Sequence, residues 1–254
     1  MFFAIDIGHN CPPHDTGART NKYSEDALTK LVGELVISKL RLRKHKAISV
    51  TPQSAYSTDD SLMQRARKAN QLDADYFISI HFNAFSSPRA NGTEVYVYNF
   101  RSAARPLAQS VVSNIASLGF LNRGVKKARF RVLELTAMPA ILIECCFISS
   151  DKDMRLFNAE KMATAIVDGL VGKEEITTIS GTLKVRYTTY LKPSSDQSSN
   201  IDPSQLKVIQ PGDYKGKLVA KEESHYAVEL EDNMGSGLRD IDYIYTGHSD
   251  FIAD

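Results

Sequence analysis

The chain has no tryptophan and only three cysteines in 254 residues. Three thiols cannot make a disulfide framework, so stability has to come from a packed core. Long apolar runs are missing too. The longest nearly apolar run, residues 138–147, is about ten positions long and has Glu144 inside it, where a membrane-spanning helix needs ~20. Charge of one sign is also absent: 31 Lys+Arg against 30 Asp+Glu leave a net charge of +1. A nucleic-acid binder normally shows a strong basic excess, so that class is excluded. The N-terminus lacks the basic start, apolar stretch and small-residue cleavage site of a secretory signal. Residues 1–6 instead run directly into what reads as the first strand. The expectation is a protein made in the cytoplasm, or a trimmed piece of a secreted one.

What is present is an ordinary globular composition, 43% hydrophobic and 24% charged. That is enough for a core and too much for wholesale disorder. The length suits one large domain or two unequal ones. The charge is partitioned: residues 173–254 hold 9 Lys+Arg against 14 Asp+Glu, net −5, while residues 1–172 hold 22 against 16, net +6. Six of the 11 tyrosines fall in the last 82 residues. The expected division is therefore a first domain over 1–172, a linker over 173–180 and a second domain over 181–254.

In the first 172 residues, short apolar runs alternate with amphipathic stretches. Strands are expected at Phe2–Ile7, 47–51, 76–80, 93–98 and 140–143. Helices are expected at Glu25–Leu42, 59–70, 104–118 and 151–170. Such alternation predicts an α/β fold with a mostly parallel sheet flanked by helices. Sheets of this kind carry their sites at the carboxyl ends of the strands. His9 follows the first strand, His81 the third, and Glu144 closes the last, while Glu25 opens the first helix.

Each of the four has a plainer reading. A lone histidine after a strand often serves only as a hydrogen-bonding or surface residue. A glutamate at a helix start serves the dipole. Glu144 in its apolar run could be the buried partner of an arginine, because an unpaired carboxylate there is expensive. Together they make chemical sense. A catalytic Zn²⁺ takes three imidazole or carboxylate ligands and keeps one open position. His9, Glu25 and His81 would fill that quota, with Glu144 as the acid/base. No short HExxH-type motif anchors the set.

Several motifs in collinear order carry a resemblance. They are Asp6-Ile7-Gly8-His9-Asn10 with Asp15-Thr16-Gly17-Ala18, then Ser24-Glu25, then Arg65-Ala66-Arg67-Lys68-Ala69-Asn70. After these come residues 74–84 (ADYFISIHFNA), Gly92-Thr93-Glu94-Val95-Tyr96, Arg123-Gly124-Val125-Lys126, and residues 138–144 (MPAILIE). Over about residues 1–171 the chain resembles the zinc-dependent N-acetylmuramoyl-L-alanine amidases of the Amidase_3 type. The resemblance implies His9, Glu25 and His81 as zinc ligands and Glu144 as the catalytic glutamate. It also implies hydrolysis of the amide between N-acetylmuramic acid and L-alanine in peptidoglycan. Asn83, two residues after a ligand, would contact substrate or orient His81; a local turn former is the plain alternative. The short loop from Asn83 to Thr93 leaves no room for the inserted regulatory helix of some members, so an open cleft is expected. Cys11-Pro12-Pro13 and Cys145-Cys146 look most like the cyanobacterial and cyanophage branch. All three thiols read as buried small hydrophobes, and His14 as a surface residue.

From Gly181 the pattern changes to short strands: 182–185, 187–191, 205–209, 217–220, 226–230 and 243–245. They are separated by turns such as Gln210-Pro211-Gly212-Asp213 and Asn233-Met234-Gly235-Ser236-Gly237. A small all-β barrel is expected. Thr189-Tyr190-Leu191-Lys192-Pro193-Ser194 and Ser224-His225-Tyr226-Ala227-Val228 are similar to the bacterial SH3-like modules that accompany wall hydrolases. The whole reads as a monomeric phage endolysin or bacterial autolysin with peptidoglycan as its partner, no nucleic acid and no membrane insertion. It would reach the wall after holin-type release, or by secretion. A non-catalytic wall-binding protein and a zinc peptidase are the alternatives.

Overall fold

A computed structural model describes residues 1–87, 89–174, 177–201, 203–222, 224–231 and 240–254. The expected turn at residues 233–237, and two positions of the expected linker, lie outside the described residues. The chain divides into two compact units, Met1–Lys173 and Glu174–Asp254.

The first unit holds strands β1 (Phe2–Ile7), β2 (Lys46–Ser49), β3 (Tyr76–Asn83), β4 (Thr93–Val97), β5 (Asn122–Lys127) and β6 (Ala140–Phe147). They form one sheet in the order β2-β1-β3-β6-β4-β5. Every neighbouring pair is parallel except β4 with β6. Helices α1 (Glu25–Leu42), α3 (Arg105–Ala116) and α6 (Ala159–Val171) cover one face, and α2 (Thr58–Gln71) and α4 (Arg131–Leu135) the other. A short α5 (Asp151–Leu156) follows β6.

Strand alternation decides which face each residue serves. Ile78, Ile80 and Phe82 of β3, with Ile141, Ile143 and Cys145 of β6, join the core under α1, α3 and α6. Phe77 of β3, with Ala140 and Leu142 of β6, packs toward α2 and α4. His81 and Glu144 continue that second series. This corrects two expected ends: β3 and β6 do not stop before the polar residues but run on to Asn83 and Phe147. Histidine and glutamate interrupt the apolar run without interrupting the strand, because Phe82, Cys145 and Phe147 keep the opposite face buried.

The expected helix over 151–170 is two helices. Asn158 ends the first segment by capping the second, its side chain accepting from the Lys161 N–H at 2.9 Å. Phe157 turns inward there and meets Phe82 edge-on at 5.4 Å. The strand β5 was not expected: Asn122-Arg123-Gly124-Val125-Lys126-Lys127 has one apolar residue, and Gly124 takes a φ of +80° beside a break in register. The cysteines are buried and free, and His14 is exposed.

The second unit holds β7 (Ile179–Val185), β8 (Thr189–Leu191), β9 (Lys207–Ile209), β10 (Gly212–Glu222), β11 (His225–Leu230), β12 (Asp242–Tyr245) and β13 (Ser249–Ala253). An antiparallel sheet runs β12-β11-β10-β7-β13, and β8 pairs with β9. Leu183, Val185, Leu191, Ile209, Val228 and Ile244 form its core. The expected strand at 217–220 is the middle of the longer β10, whose Gly-Asp-Tyr-Lys-Gly start reads as a turn in sequence. Residues 203–205 form a 3-10 turn rather than the start of a strand, and β13 was not expected.

Candidate active site

β1 ends at Ile7 and the chain turns through Gly8, His9 and Asn10. His9 and Asn10 take φ values of 60° and 59°, a left-handed conformation that a non-glycine residue holds only when its surroundings impose it. Arg65, fully buried on α2, imposes it. Its guanidinium donates to the Ile7 carbonyl at 2.8 Å and to the His9 carbonyl. It also donates to Asp6 Oδ1 at 2.5 Å and to Asp15 Oδ2 at 3.1 Å. The Asn10 amide donates to the Gly8 carbonyl and to Thr29 Oγ1, both at 2.9 Å.

This frame aims His9. Nδ1 lies 2.6 Å from Asp15 Oδ1, and Nε2 lies 3.1 Å from Glu25 Oε2. Ser61 Oγ donates to the other oxygen of Asp15 at 2.9 Å. Burial would lower the His9 pKa, but the hydrogen bonds to Asp15 and Glu25 outweigh it and raise it to about 9. In the protein alone His9 is therefore a cation between two carboxylates. Burial would raise the Asp15 pKa, yet His9 and Arg65 hold it below the usual carboxylate range.

Glu25 stands at the first position of α1, and its carboxylate turns back into the site. Oε1 accepts from the Phe82 N–H at 3.1 Å and lies 3.1 Å from His81 Nδ1. Oε2 accepts from the Ala18 N–H at 2.9 Å. Its pKa is also depressed: burial opposes this, but both histidines more than compensate. The two imidazole rings lie 4.8 Å apart, nearly perpendicular. One ligand atom from each of His9, Glu25 and His81 lies within 4.8 Å of the others. Two imidazoles and a carboxylate, with a carboxylate behind one imidazole, suit a divalent transition metal. The backbone is shaped to this cluster. A Cβ on Gly8 would lie 2.6 Å from the His81 ring, and one on Gly17 would lie 2.6 Å from the His9 ring.

Glu144 pairs with His81 across β3 and β6, and with Glu94 across β4 and β6. Its Oε2 is shut from solvent and has no hydrogen-bond partner among the described residues. Burial pushes its pKa well above the usual range, Glu25 and Glu94 add to the shift, and His9 opposes it. Glu94 next to it is fully satisfied. It accepts from Arg123 Nε at 2.6 Å, Tyr96 OH at 2.7 Å, Asn83 Nδ2 at 3.1 Å, and Lys126. Burial would raise its pKa too, but these donors hold it down. The two neighbouring glutamates are thus pushed in opposite directions, a pattern that separates an acid/base from a structural anion.

His9, Glu25, His81, Asn83 and Glu144 all line one cleft of about 350 Å³, whose far wall is Thr58 and Leu62 of α2 and residues 130–132 at α4. Asn83 lines it with its amide engaged by Glu94. Three contributors were not singled out in sequence: Asp15, Arg65 and Glu94. Each stands inside a quoted motif, but only the fold shows that Asp15 aims His9, Arg65 fixes the loop and Glu94 abuts Glu144.

Residues 3–172 match the family model described as Amidase_3, N-acetylmuramoyl-L-alanine amidase. The chain is 36% identical over 176 residues to the N-acetylmuramoyl-L-alanine amidase LytC of Bacillus subtilis, covering 66% of this chain and 34% of that protein. It is 32% identical over 172 residues to the endolysin of Bacillus phage SPP1, covering 65% of this chain and 61% of the phage protein. In both, the match spans less than two thirds of the relative's length. Among solved structures, N-acetylmuramoyl-L-alanine amidase AmiC2 of Nostoc punctiforme superimposes with a TM-score of 0.59 at 30% identity, over 67% of this chain and 95% of that one.

Proposed function

The chain belongs to the Amidase_3 family of N-acetylmuramoyl-L-alanine amidases, and from that premise we propose that it hydrolyses the amide joining the lactyl group of N-acetylmuramic acid to L-alanine in peptidoglycan. The observation that carries the reading is one cleft holding His9, Glu25 and His81 with an unpartnered Glu144 beside them.

His9, Glu25 and His81 would hold Zn²⁺, which when bound supplies an activated water and a Lewis acid for the scissile carbonyl. Asp15 accepts a hydrogen bond from the His9 Nδ1–H at 2.6 Å, which fixes the ring and leaves Nε2 as the ligand atom. Glu144 accepts the proton of the attacking water and returns it to the leaving nitrogen of L-alanine. Its burial suits it to that traffic, because a raised pKa makes the carboxylate a stronger base toward the proton of the water. Asn83, held by Glu94, contacts substrate from the adjoining strand. Arg123 and Lys126 neutralise Glu94 beside Glu144.

The second unit, an antiparallel sheet with a short paired hairpin, we read as an SH3-like wall-binding barrel spanning 181–254 after a linker at 173–180. No helix among the described residues is long and apolar enough to cross a membrane. An endolysin freed through a separate pore, or a secreted autolysin, fits this organisation. The test is hydrolysis of a soluble muropeptide. Chelation should abolish it and zinc should restore it. His81→Ala should lose metal and activity together, whereas Glu144→Gln should keep the metal and lose about 10²–10⁴-fold in turnover. Full activity after chelation would end the mechanism, and loss of metal from Glu144→Gln would make Glu144 a ligand.

A further inference from the structure

Lys192 sits at the floor of a cleft of about 590 Å³ in the second unit. It is only 5% exposed. Its Nζ donates to the Asp196 carbonyl at 2.6 Å and to His225 Nε2 at 2.7 Å. An ammonium has three donors, and these two contacts are to neutral acceptors. Among the described residues no carboxylate lies within ion-pair distance of Lys192. The Asp196 carboxylate accepts from Ser194 Oγ instead. A buried charge without a counter-charge is expensive to keep. Burial lowers the Lys192 pKa, and the charge of Asp196 opposes that shift.

The walls around this cation are aromatic. Tyr190 and Tyr245 are 41% and 42% exposed. Tyr245 meets the His225 ring at 5.8 Å and the His248 ring at 5.1 Å. Thr188, Ser198 and Ser224 also line the cleft. Residues 173–254 are net −5, so general attraction does not draw anions here. One sheltered cation in an acidic unit, framed by aromatic faces and hydroxyls, is a local anion seat.

We propose that this cleft binds a carboxylate-bearing ligand, its carboxylate on Lys192 and the adjoining carbon skeleton against Tyr245. That the carboxylate comes from peptidoglycan rests on the proposed function. Two sources share the chemistry: the free carboxylates of a stem peptide, and the lactyl carboxylate that an amidase cut leaves on muramic acid.

The test uses the full chain carrying Glu144→Gln, so that nothing is consumed, observed by amide NMR. A soluble stem peptide is titrated beside its fully amidated form, and N-acetylmuramic acid beside its methyl ester. The proposal expects shifts among residues 188–198 and 224–248 with the acids, and at least tenfold weaker binding with the neutral forms. Lys192→Met should weaken acid binding about ten- to a hundredfold, the worth of a charged hydrogen bond. Tyr245→Ala should weaken it independently. Response to the peptide assigns the stem, and response to N-acetylmuramic acid assigns the cut glycan. Equal binding of acid and neutral forms, or shifts confined to the first unit, overturns the proposal. That comparison needs no substitution at Lys192, so it decides the matter even if the Lys192 variant fails to fold. Amide cleavage is read separately, so failure here leaves the amidase reading intact.

Discussion

Replacing Arg65 by methionine is the perturbation whose size the structure fixes best. The side chain is fully buried and donates to Asp6, Asp15, Ser61 and the carbonyls of Ile7 and His9. Methionine keeps the stem's volume and removes every donor. Among the described residues, Asp6 would retain only Ser79 Oγ at 2.7 Å, and Asp15 only Ser61 and His9. Removing one partner of a buried ion pair costs about 3–5 kcal/mol, because the other charge stays buried. The unit concerned is Met1–Lys173, and for that size each kcal/mol moves Tm by about 2–4 °C. The expected drop is about 6–20 °C. Calorimetry on chelated protein reads it without the stabilisation that bound metal adds. The double variant Arg65→Met/Asp6→Asn should lose less than the sum of the singles, since removing both charges removes the imbalance. A single variant within about 1 kcal/mol of the parent, or strict additivity in the double, would refute the reasoning.

Three further outcomes are expected. Asp15→Asn leaves all three ligand atoms in place but loosens His9, so zinc affinity measured by competition with a chromogenic chelator should fall about 10–100-fold. Glu144 has a raised pKa in the folded chain, so above the ordinary carboxylate pKa the native state holds a proton that the unfolded chain has released, and stability falls as pH rises through that window. Glu144→Gln has no such proton, and in chelated protein its Tm advantage over the parent should therefore grow from pH 5 to pH 8; an advantage that shrinks would reverse the assignment. Residues 1–175 alone should cut soluble muropeptides as the full chain does but act more slowly on intact walls if the second unit binds the wall as proposed, because linkage then raises effective concentration. This deficit should change little with salt, since the acidic second unit is no electrostatic tether.

Much of the first unit was legible because its chemistry sits in motifs at strand ends. Apolar runs marked β1, β3 and β6, and amphipathic spacing marked α1, whereas the Asn158 cap that starts α6 went unread. His9, Glu25, His81 and Glu144 were legible as types suited to one metal and one proton. What escaped is what depends on pairing. Nothing in the spacing says that Glu94 and His81 flank Glu144 on neighbouring strands, since that follows from the sheet order β3-β6-β4. The expected ends of β3 and β6 fell short because a polar residue on a cleft face looks like a strand terminus when the other face is ignored. The edge strand β5 and the solvent-facing start of β10 bury too little to leave an apolar signal. The Lys192 cleft escaped for the same reason: a lysine in a turn-rich stretch reads as solvated until the fold of the second unit encloses it.

The central claim concerns which bond is cut, and mass spectrometry of purified peptidoglycan digested by the full chain tests it directly. The account predicts stem peptides released with a free L-alanine amine, together with glycan whose muramic acid carries an intact lactyl carboxylate. Stem peptides cleaved at an internal peptide bond, or glycan fragments with their stems still attached, would contradict it.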